Sequence, residues 1–195
     1  MISIKSKREI ELMRDAGRIV AEVLAELRLH CRVGVTTREL DRIAETKTTK
    51  AGAKPLFKGY KGFPGALCTS VNHQVVHGIP GSYELKEGDI VSMDFGVLHK
   101  GYCGDGAITV PIGAISPSVA SLLKVTEKCL YLGIEQMVAG KLRRAAPKVV
   151  ENTESLGNYR LRRPAGFRKS YGVYDGFTCC KIKAAIIKLR NCFAS

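Results

Sequence analysis

Apolar residues recur at helical spacing in the first thirty positions of the chain. Ser6 and Glu9 have the spacing of a capping box, a pattern that opens many helices. The apolar residues that follow are Ile10, Met13, Gly17, Val20, Val23, Leu24 and Leu27. This spacing predicts an amphipathic helix whose apolar stripe packs against a sheet.

Two later segments carry the same kind of start and stop signals. Thr36 and Glu39 repeat the capping spacing, and Gly52 is a suitable C-terminal stop. The apolar face between them consists of Leu40, Ile43 and Ala44. Further on, Ser116-Pro117 supplies an N-cap with proline at the first helical position, and Gly140 ends the pattern. The apolar residues of that segment are Val119, Leu122, Leu123, Leu130, Ile134 and Met137. We therefore predict a second and a third helix.

Between the second and third helices the pattern changes to that of strands and loops. Residues 55–65 interleave glycine and proline with aromatic residues, which is typical of a loop. Residues 67–76 predict a strand interrupted by polar positions, and residues 89–110 predict two strands joined by a tight polar turn. Helices followed by a hairpin and another helix make the predicted fold class α+β.

The predicted hairpin carries one aspartate on each strand. If the turn is centred between His99 and Lys100, Asp94 and Asp105 are direct cross-strand partners. Like charges in that arrangement repel, so the pair needs either a shared proton or a cation between the carboxylates. The simpler alternative is two aspartates on a solvated edge strand. Four glycines in this region leave room for backbone or ligand: Gly96, Gly101, Gly104 and Gly106.

Length and composition indicate an ordinary globular protein. At 195 residues one domain is the default, and the hydrophobic and charged fractions of 45% and 25% are typical of such proteins. No apolar run reaches about eighteen residues, and the N-terminus lacks the apolar core of a signal peptide, so we expect a cytoplasmic protein without a membrane segment. Seven cysteines without a Cys-x-x-Cys pair favour free thiols.

The positive charge is concentrated at the C-terminal end. The net charge is +13, and residues 141–195 hold thirteen Lys and Arg against three acids, which is +10. Residues 1–140 therefore carry +3, from 18 basic and 15 acidic residues. We predict an enzyme-like domain over 1–140 and a basic tail over 141–195.

Three motifs together resemble type I methionine aminopeptidases. They are Val76-His77-Gly78-Ile79-Pro80, the run from Gly88 to Asp94, and Gly101-Tyr102-Cys103-Gly104-Asp105, within a likeness from about Lys5 to Gly140. The resemblance implies the first half of a pita-bread fold, with Asp94 and Asp105 as ligands of two divalent metal ions. It therefore favours the cation over the shared proton.

The resemblance also assigns a substrate site. It implies that His77 contacts the substrate near the scissile bond, and that Tyr60, Phe63 and Cys68 line a pocket for a methionine side chain. The alternative for these aromatic residues is that they close the core beneath the loop. The implied reaction is removal of the N-terminal methionine from nascent chains by a monomer, with the ribosome as a further expected partner. Carboxylate ligands suit Mn²⁺ or Fe²⁺ and tolerate Co²⁺ or Zn²⁺.

The chain departs from the family pattern in its last third. The family's second half supplies a histidine in a Gly-His-Gly context and two glutamates, but no histidine follows His99 here. Three accounts of residues 141–195 compete: a reading-frame shift after about Gly140, a basic RNA-binding appendage, and a short amphipathic helix packed on the body. We favour the frame shift. Because metal ligands are missing, we expect the chain as written to have little or no activity.

Overall fold

The computed structural model describes residues 4–135 as an α+β protein. The chain divides into two compact units, and the described parts of these units are residues 4–115 and 116–135. The elements of the first unit are α1 (Lys7–His30), α2 (Thr37–Lys50), β1 (Lys54–Pro55), β2 (Leu67–Val71), β3 (Ile90–His99) and β4 (Tyr102–Pro111). The second unit contains α3 (Pro117–Glu135). The predicted boundary at residue 140 lies outside the described residues.

Helix α1 begins at the predicted capping box. The Glu9 amide donates to Ser6 Oγ at 3.3 Å, and the Ser6 amide donates to Glu9 Oε2 at 2.7 Å. The buried face begins nearly two turns later than predicted, at Ala16, since Ile10 and Met13 are 44% and 40% exposed. The buried residues of the helix are Ala16, Val20, Val23, Leu24 and Leu27. The first turns of α1 therefore bury little apolar surface, and Glu9 there accepts a hydrogen bond from the Tyr102 hydroxyl of β4 at 3.2 Å.

Helix α2 also has its predicted ends. The Glu39 amide donates to the Thr36 side chain at 3.1 Å, and Gly52 adopts a positive φ of 68° just after the last turn. Its buried residues are Thr37, Leu40, Ala44 and Thr48. Because these positions lie on one face, α2 packs beside α1 over the same core.

Strand β3 is the centre of an antiparallel sheet. It pairs along its whole length with β4, while β1 and β2 pair with its two ends on the other side. Alternate β3 side chains face the helices and form the core with them: Val91, Met93, Phe95 and Val97. The other face of the sheet, which we call the open face, presents Asp94.

The predicted hairpin is present, but its register was wrong by two residues. The turn is formed by Lys100 and Gly101, both with positive φ, at 49° and 82°. This moves the centre of the turn by one residue, so Asp94 pairs with Ala107 and Asp105 pairs with Gly96. The two aspartates are therefore diagonal neighbours and not direct partners.

Two glycines of β4 allow α1 to lie close to the sheet. A Cβ at Gly104 would lie 2.5 Å from the carbonyl oxygen of Ala16, and a Cβ at Gly106 would lie 3.0 Å from a methyl group of Val20. The space predicted at these glycines is thus filled by the backbone and side chains of the helix. The absence of side chains here lets α1 cover β4 directly.

The remaining predicted elements are only partly confirmed. Strand β2 ends at Val71, five residues before the predicted end, because Asn72 turns the chain with a φ of 51°. Helix α3 begins as predicted, with the Val119 amide donating to Ser116 Oγ at 3.3 Å. Its predicted end at Gly140 lies outside the described residues. Among residues 4–135, no helix combines the length and apolar character needed to cross a membrane.

Candidate functional site

The open face of the sheet carries both aspartates of the hairpin. Asp94 and Asp105 belong to adjacent strands and lie one diagonal step apart, an arrangement in which Cα atoms are about 7–8 Å apart. Asp94 is half-buried and Asp105 is exposed. A register shift of two residues keeps side chains on the same face, so both carboxylates still point to the same side of the sheet.

Strand β2 adds a thiol beside this pair. Cys68 is the direct cross-strand partner of Asp94 and is only 5% exposed. One step along the strands, Ser70 pairs with Ser92, and the hydroxyl groups of Ser92 and Thr109 lie 2.9 Å apart. The surface of the open face is thus lined by hydroxyl groups, and the Cys68 thiol lies next to the half-buried carboxylate of Asp94.

Phe57 forms one wall of this site, although no motif in the sequence gave it a role. A Cβ at Gly96 would lie 3.0 Å from the Phe57 ring, so the ring covers Gly96 on the open face. Gly96 is the partner of Asp105 and lies two residues from Asp94. The sequence shows only an aromatic residue in a loop and a glycine in a strand. That the two lie against each other follows only from the folded structure.

The two predicted aromatic pocket residues follow Phe57 on the loop of residues 56–66, which we call the aromatic loop. Tyr60 is 66% exposed and belongs to a short 3₁₀ turn, Tyr60–Gly62, whereas Phe63 is half-buried. The loop is closed by the Gly59 amide donating to the Phe63 carbonyl at 2.8 Å. Cys68 pairs directly with Asp94, and the role of Tyr60, Phe63 and Cys68 as pocket residues stays a prediction.

His77 lies on the loop of residues 72–81, which returns along β2 and which we call the His77 loop. Its side chain is exposed and its φ is 54°, a conformation that non-glycine residues rarely adopt. The next residue fixes the loop to the strand: the Thr69 amide donates to the Gly78 carbonyl at 2.8 Å, and the Gly78 amide donates to Ser70 Oγ at 3.2 Å. Ser70 lies on the open face two residues from Cys68, so His77 is held near the edge of the site.

The start of the His77 loop is fixed by a buried carboxylate that the sequence did not reveal. Asp89 is 7% exposed and accepts from Asn72 Nδ2 at 2.7 Å, from the Tyr83 hydroxyl at 2.9 Å and from the Lys86 amide at 2.9 Å. Desolvation raises the pKa of the Asp89 carboxyl, but these three donors outweigh it, and the pKa is lowered overall.

The lowered pKa of Asp89 predicts a loss of stability in acid. This contribution is complete above the unfolded-state pKa, near 3.8, and is lost as the pH falls through the lower folded-state pKa. Asp89→Ala should reduce the free energy of unfolding by about 3 kcal/mol at neutral pH, because three donors lose their acceptor. Urea titrations of both proteins between about pH 2 and pH 7 check this. An unchanged difference between the two proteins across that range would contradict it.

The residues present fit a divalent cation only in part. Two carboxylates on one face are suitable oxygen donors, and a thiol lies beside one of them. Within residues 4–135, however, no group of three or more His, Cys, Asp and Glu side chains is arranged to hold a metal ion. Asp94 and Asp105 can therefore contribute to a metal site that needs further ligands.

Comparison with known proteins agrees with the fold and with these motifs. The model of "Metallopeptidase family M24" matches residues 11–181, which includes part of the predicted tail. Methionine aminopeptidase 1 of Bacillus subtilis is 52% identical over 141 residues, covering 72% of this chain and 57% of the relative. The methionine aminopeptidase of Clostridium perfringens is 54% identical over 136 residues, covering 70% of this chain and 55% of the relative.

A solved structure leads to the same conclusion. The crystal structure of methionine aminopeptidase from Rickettsia prowazekii superposes with a TM-score of 0.73 at 34% identity, over 78% of this chain and 63% of that one. The chain thus spans little more than half the length of these curated relatives. The predicted resemblance and the α+β fold, corresponding to the first half of a pita-bread domain, are confirmed. The chain belongs to metallopeptidase family M24.

Proposed function

We propose that the open face is part of a metal-dependent site that removes the N-terminal methionine from newly made proteins. The proposal rests on one observation: Asp94 and Asp105 are diagonal neighbours on one face of the sheet. Cys68 lies beside Asp94, and the Phe57 ring covers Gly96, the partner of Asp105. The two relatives at 52% and 54% identity are named methionine aminopeptidases. Nascent chains are the substrates in this proposal, which places a monomeric protein in the cytoplasm near the ribosome.

Each residue of the site has a distinct role in this proposal. Asp94 and Asp105 hold divalent ions, of which Mn²⁺, Fe²⁺, Co²⁺ and Zn²⁺ all suit oxygen donors. Such ions, when bound, supply Lewis-acid polarisation of a carbonyl and a water of lowered pKa. His77 hydrogen-bonds the substrate beside the scissile bond, and its imidazole is able to accept or donate that bond. Phe57, Tyr60, Phe63 and Cys68 surround an unbranched thioether side chain.

The chain as written is expected to be a poor enzyme. Two carboxylates do not offset the hydration that a divalent ion loses, so metal occupancy should be low. Release of methionine from Met-Ala-Ser should therefore fall at least about a hundredfold below that of the Bacillus subtilis relative. Turnover within a few-fold of that relative would contradict this expectation.

A chimera separates a wrong function from an incomplete site. Residues 1–140 of this chain would be fused to the corresponding C-terminal part of the Bacillus subtilis relative, which is 52% identical over the shared region. The chimera should release methionine in the presence of Mn²⁺, and Asp94→Asn or Asp105→Asn should each abolish the release. The control is Asp15→Asn, which changes a half-buried aspartate of α1 that pairs with Arg18. A folded but inactive chimera would refute the proposed function.

The alternative is a non-catalytic half-domain whose basic tail binds ribosomal RNA. The observation that favours it is the charge of +10 in residues 141–195, interleaved there with tyrosine and phenylalanine. Filter binding to ribosomal RNA at increasing salt tests it, because phosphate contacts make affinity fall steeply with salt. Deletion of 141–195 should abolish such binding, and a lack of salt-dependent binding would remove this alternative.

A further inference from the structure

One face of α2 holds the ends of both loops that border the candidate site. Three residues spaced four apart make these contacts: Thr37, Asp41 and Glu45. At this spacing they lie one above the other on the same side of the helix. They contact, in turn, the end of the His77 loop, the end of the aromatic loop and the start of the aromatic loop.

Thr37 holds the end of the loop that carries His77. Its hydroxyl donates to the Gly81 carbonyl at 3.1 Å and accepts from the Gly81 amide at 2.9 Å. The Arg38 amide donates to the same carbonyl at 2.9 Å. Thr37 is 3% exposed, so this junction is shielded from water.

Asp41 holds the point where the aromatic loop enters β2. Its Oδ1 accepts from the amides of Ala66 at 2.7 Å and Leu67 at 2.8 Å. Burial raises the pKa of this carboxyl, and the two amide donors offset that effect in part. Leu67 is directly followed by Cys68, so this contact fixes the backbone one residue before the thiol that pairs with Asp94.

Asp41 also lies where the two loops meet. A Cβ at Gly65 would lie 2.9 Å from the Pro80 ring and 3.0 Å from Asp41 Oδ1. The last residues of the aromatic loop thus pack against the last residue of the His77-Gly-Ile-Pro motif, with the carboxylate at the same place. A side chain at Gly65 would force these three groups apart.

Glu45 completes the row at the start of the aromatic loop. Its Oε1 lies 2.5 Å from Lys58 Nζ. Both side chains are more than one-third exposed, so this ion pair is screened by solvent and is the weakest of the three anchors. Of the three, only the Asp41 carboxylate accepts two backbone hydrogen bonds at the junction of the loops.

We propose that Asp41 is a positioning residue that sets the aromatic loop and the His77 loop relative to each other. Its carboxylate fixes the peptide groups of Ala66 and Leu67, against which Gly65 and Pro80 pack. The spacing between the loop that carries Phe63 and the loop that carries His77, which we call the opening, then depends on one side chain outside the site. That this opening receives a methionine side chain rests on the proposed function.

Hydrogen exchange tests the positioning role without any activity. Two amides report on the loops: Gly59, bonded to Phe63 in the aromatic loop, and Thr69, bonded to Gly78 after His77. Asp41→Ala should speed hydrogen exchange of both amides at least about tenfold. Exchange of the Ile112 amide, which donates to the backbone carbonyl of Asp89, should change less than about twofold. Asp41→Asn keeps one oxygen acceptor and should restore most of the protection.

The matched control is Asp15→Ala, which removes a half-buried aspartate of α1 that pairs with Arg18. It should leave the Gly59 and Thr69 amides unchanged. Equal acceleration of Gly59, Thr69 and Ile112 in Asp41→Ala would mean a general loss of stability and would overturn the proposal. Unchanged exchange at Gly59 and Thr69 would overturn it too.

Ligand binding tests the link to substrate. Saturation-transfer NMR would compare L-methioninamide with L-alaninamide, which lacks the long side chain. Asp41→Ala should weaken methioninamide about tenfold more than alaninamide, a ratio that general destabilisation does not change. If the unchanged chain prefers neither ligand, the proposed function fails, and the exchange data alone decide the positioning role. If Asp41→Ala weakens both ligands equally, Asp41 does not set the opening.

Discussion

Gly104→Ala is expected to destabilise the fold by roughly 3–5 kcal/mol, at the upper end of single substitutions. The new Cβ would lie 2.5 Å from the Ala16 carbonyl oxygen and 2.9 Å from the Gly17 amide nitrogen. Both are backbone atoms of α1, so relief requires the whole helix to move away from β4. That movement would open the core that Val20, Leu24 and Leu27 share with the sheet. Urea unfolding followed by circular dichroism measures the loss.

Two neighbouring glycines provide controls with different expected results. At Gly106 the nearest atoms are methyl groups of Val20 and Leu24, at 3.0 and 3.4 Å, which rotate or shift at little cost. Gly106→Ala should therefore cost about 1 kcal/mol. Gly17 lies within α1, and a Cβ there would meet no atom within 4 Å outside the backbone of its own helix. Gly17→Ala should therefore raise the free energy of unfolding by about 0.5–1 kcal/mol. Equal effects of Gly104→Ala and Gly106→Ala would show that the close backbone approach is not the cause.

Gly78→Ala is expected to detach the His77 loop from β2. A Cβ at this position would lie 2.0 Å from the Thr69 carbonyl oxygen and 2.8 Å from its carbonyl carbon. No side-chain rotation relieves a contact with backbone, so the hydrogen bond from the Thr69 amide to the Gly78 carbonyl must break. In the chimera described above, methionine release should fall at least about a hundredfold, because a displacement near 1 Å at a reacting group costs that much.

Gly81→Ala is the control in the same loop, since nothing lies within 4 Å of its Cβ position. It should keep activity within a few-fold and leave exchange of the Thr69 amide unchanged. Gly78→Ala should accelerate exchange of that amide at least about tenfold. Normal exchange and normal turnover in Gly78→Ala would show that the loop tolerates the side chain and that His77 is not fixed through this contact.

The hairpin illustrates which part of the site could be predicted. Alternating side chains and the glycine pattern were sufficient to predict two strands and the turn between them. The register was wrong because the first turn position is Lys100, and lysine seldom adopts the positive φ that this turn requires. Moving the turn by one residue shifts the pairing by two, which preserves the face. Asp94 and Asp105 therefore remained together although their pairing changed.

The starts of the helices were predictable because their signals are local. Ser6, Thr36 and Ser116 each cap their helix through a backbone amide three residues away. The carboxylates of Asp41 and Asp89 could not be predicted, because their partners are brought close only by folding. Ala66 lies 25 residues from Asp41, and Asn72 lies 17 residues from Asp89. The same reason hid Phe57, whose importance depends on the pairing of Gly96.

The last third of the chain is open to a direct genetic test. Resequencing codons 138–195 and translating the other two frames would show whether a Gly-His-Gly motif and two glutamates follow in register. Their presence would support the frame shift and restore a full ligand set to the site. Their absence would favour the basic tail as a genuine segment with a binding role.

The central claim is that Asp94 and Asp105 together bind a divalent cation on the open face. The most direct test is a Mn²⁺ titration of the chain, with free Mn²⁺ followed by electron paramagnetic resonance. We predict weak binding, with a Kd of about 10⁻⁴–10⁻³ M, that is lost in Asp94→Asn and in Asp105→Asn but kept in Asp15→Asn. Mn²⁺ binding that is unchanged by both site substitutions would contradict the claim.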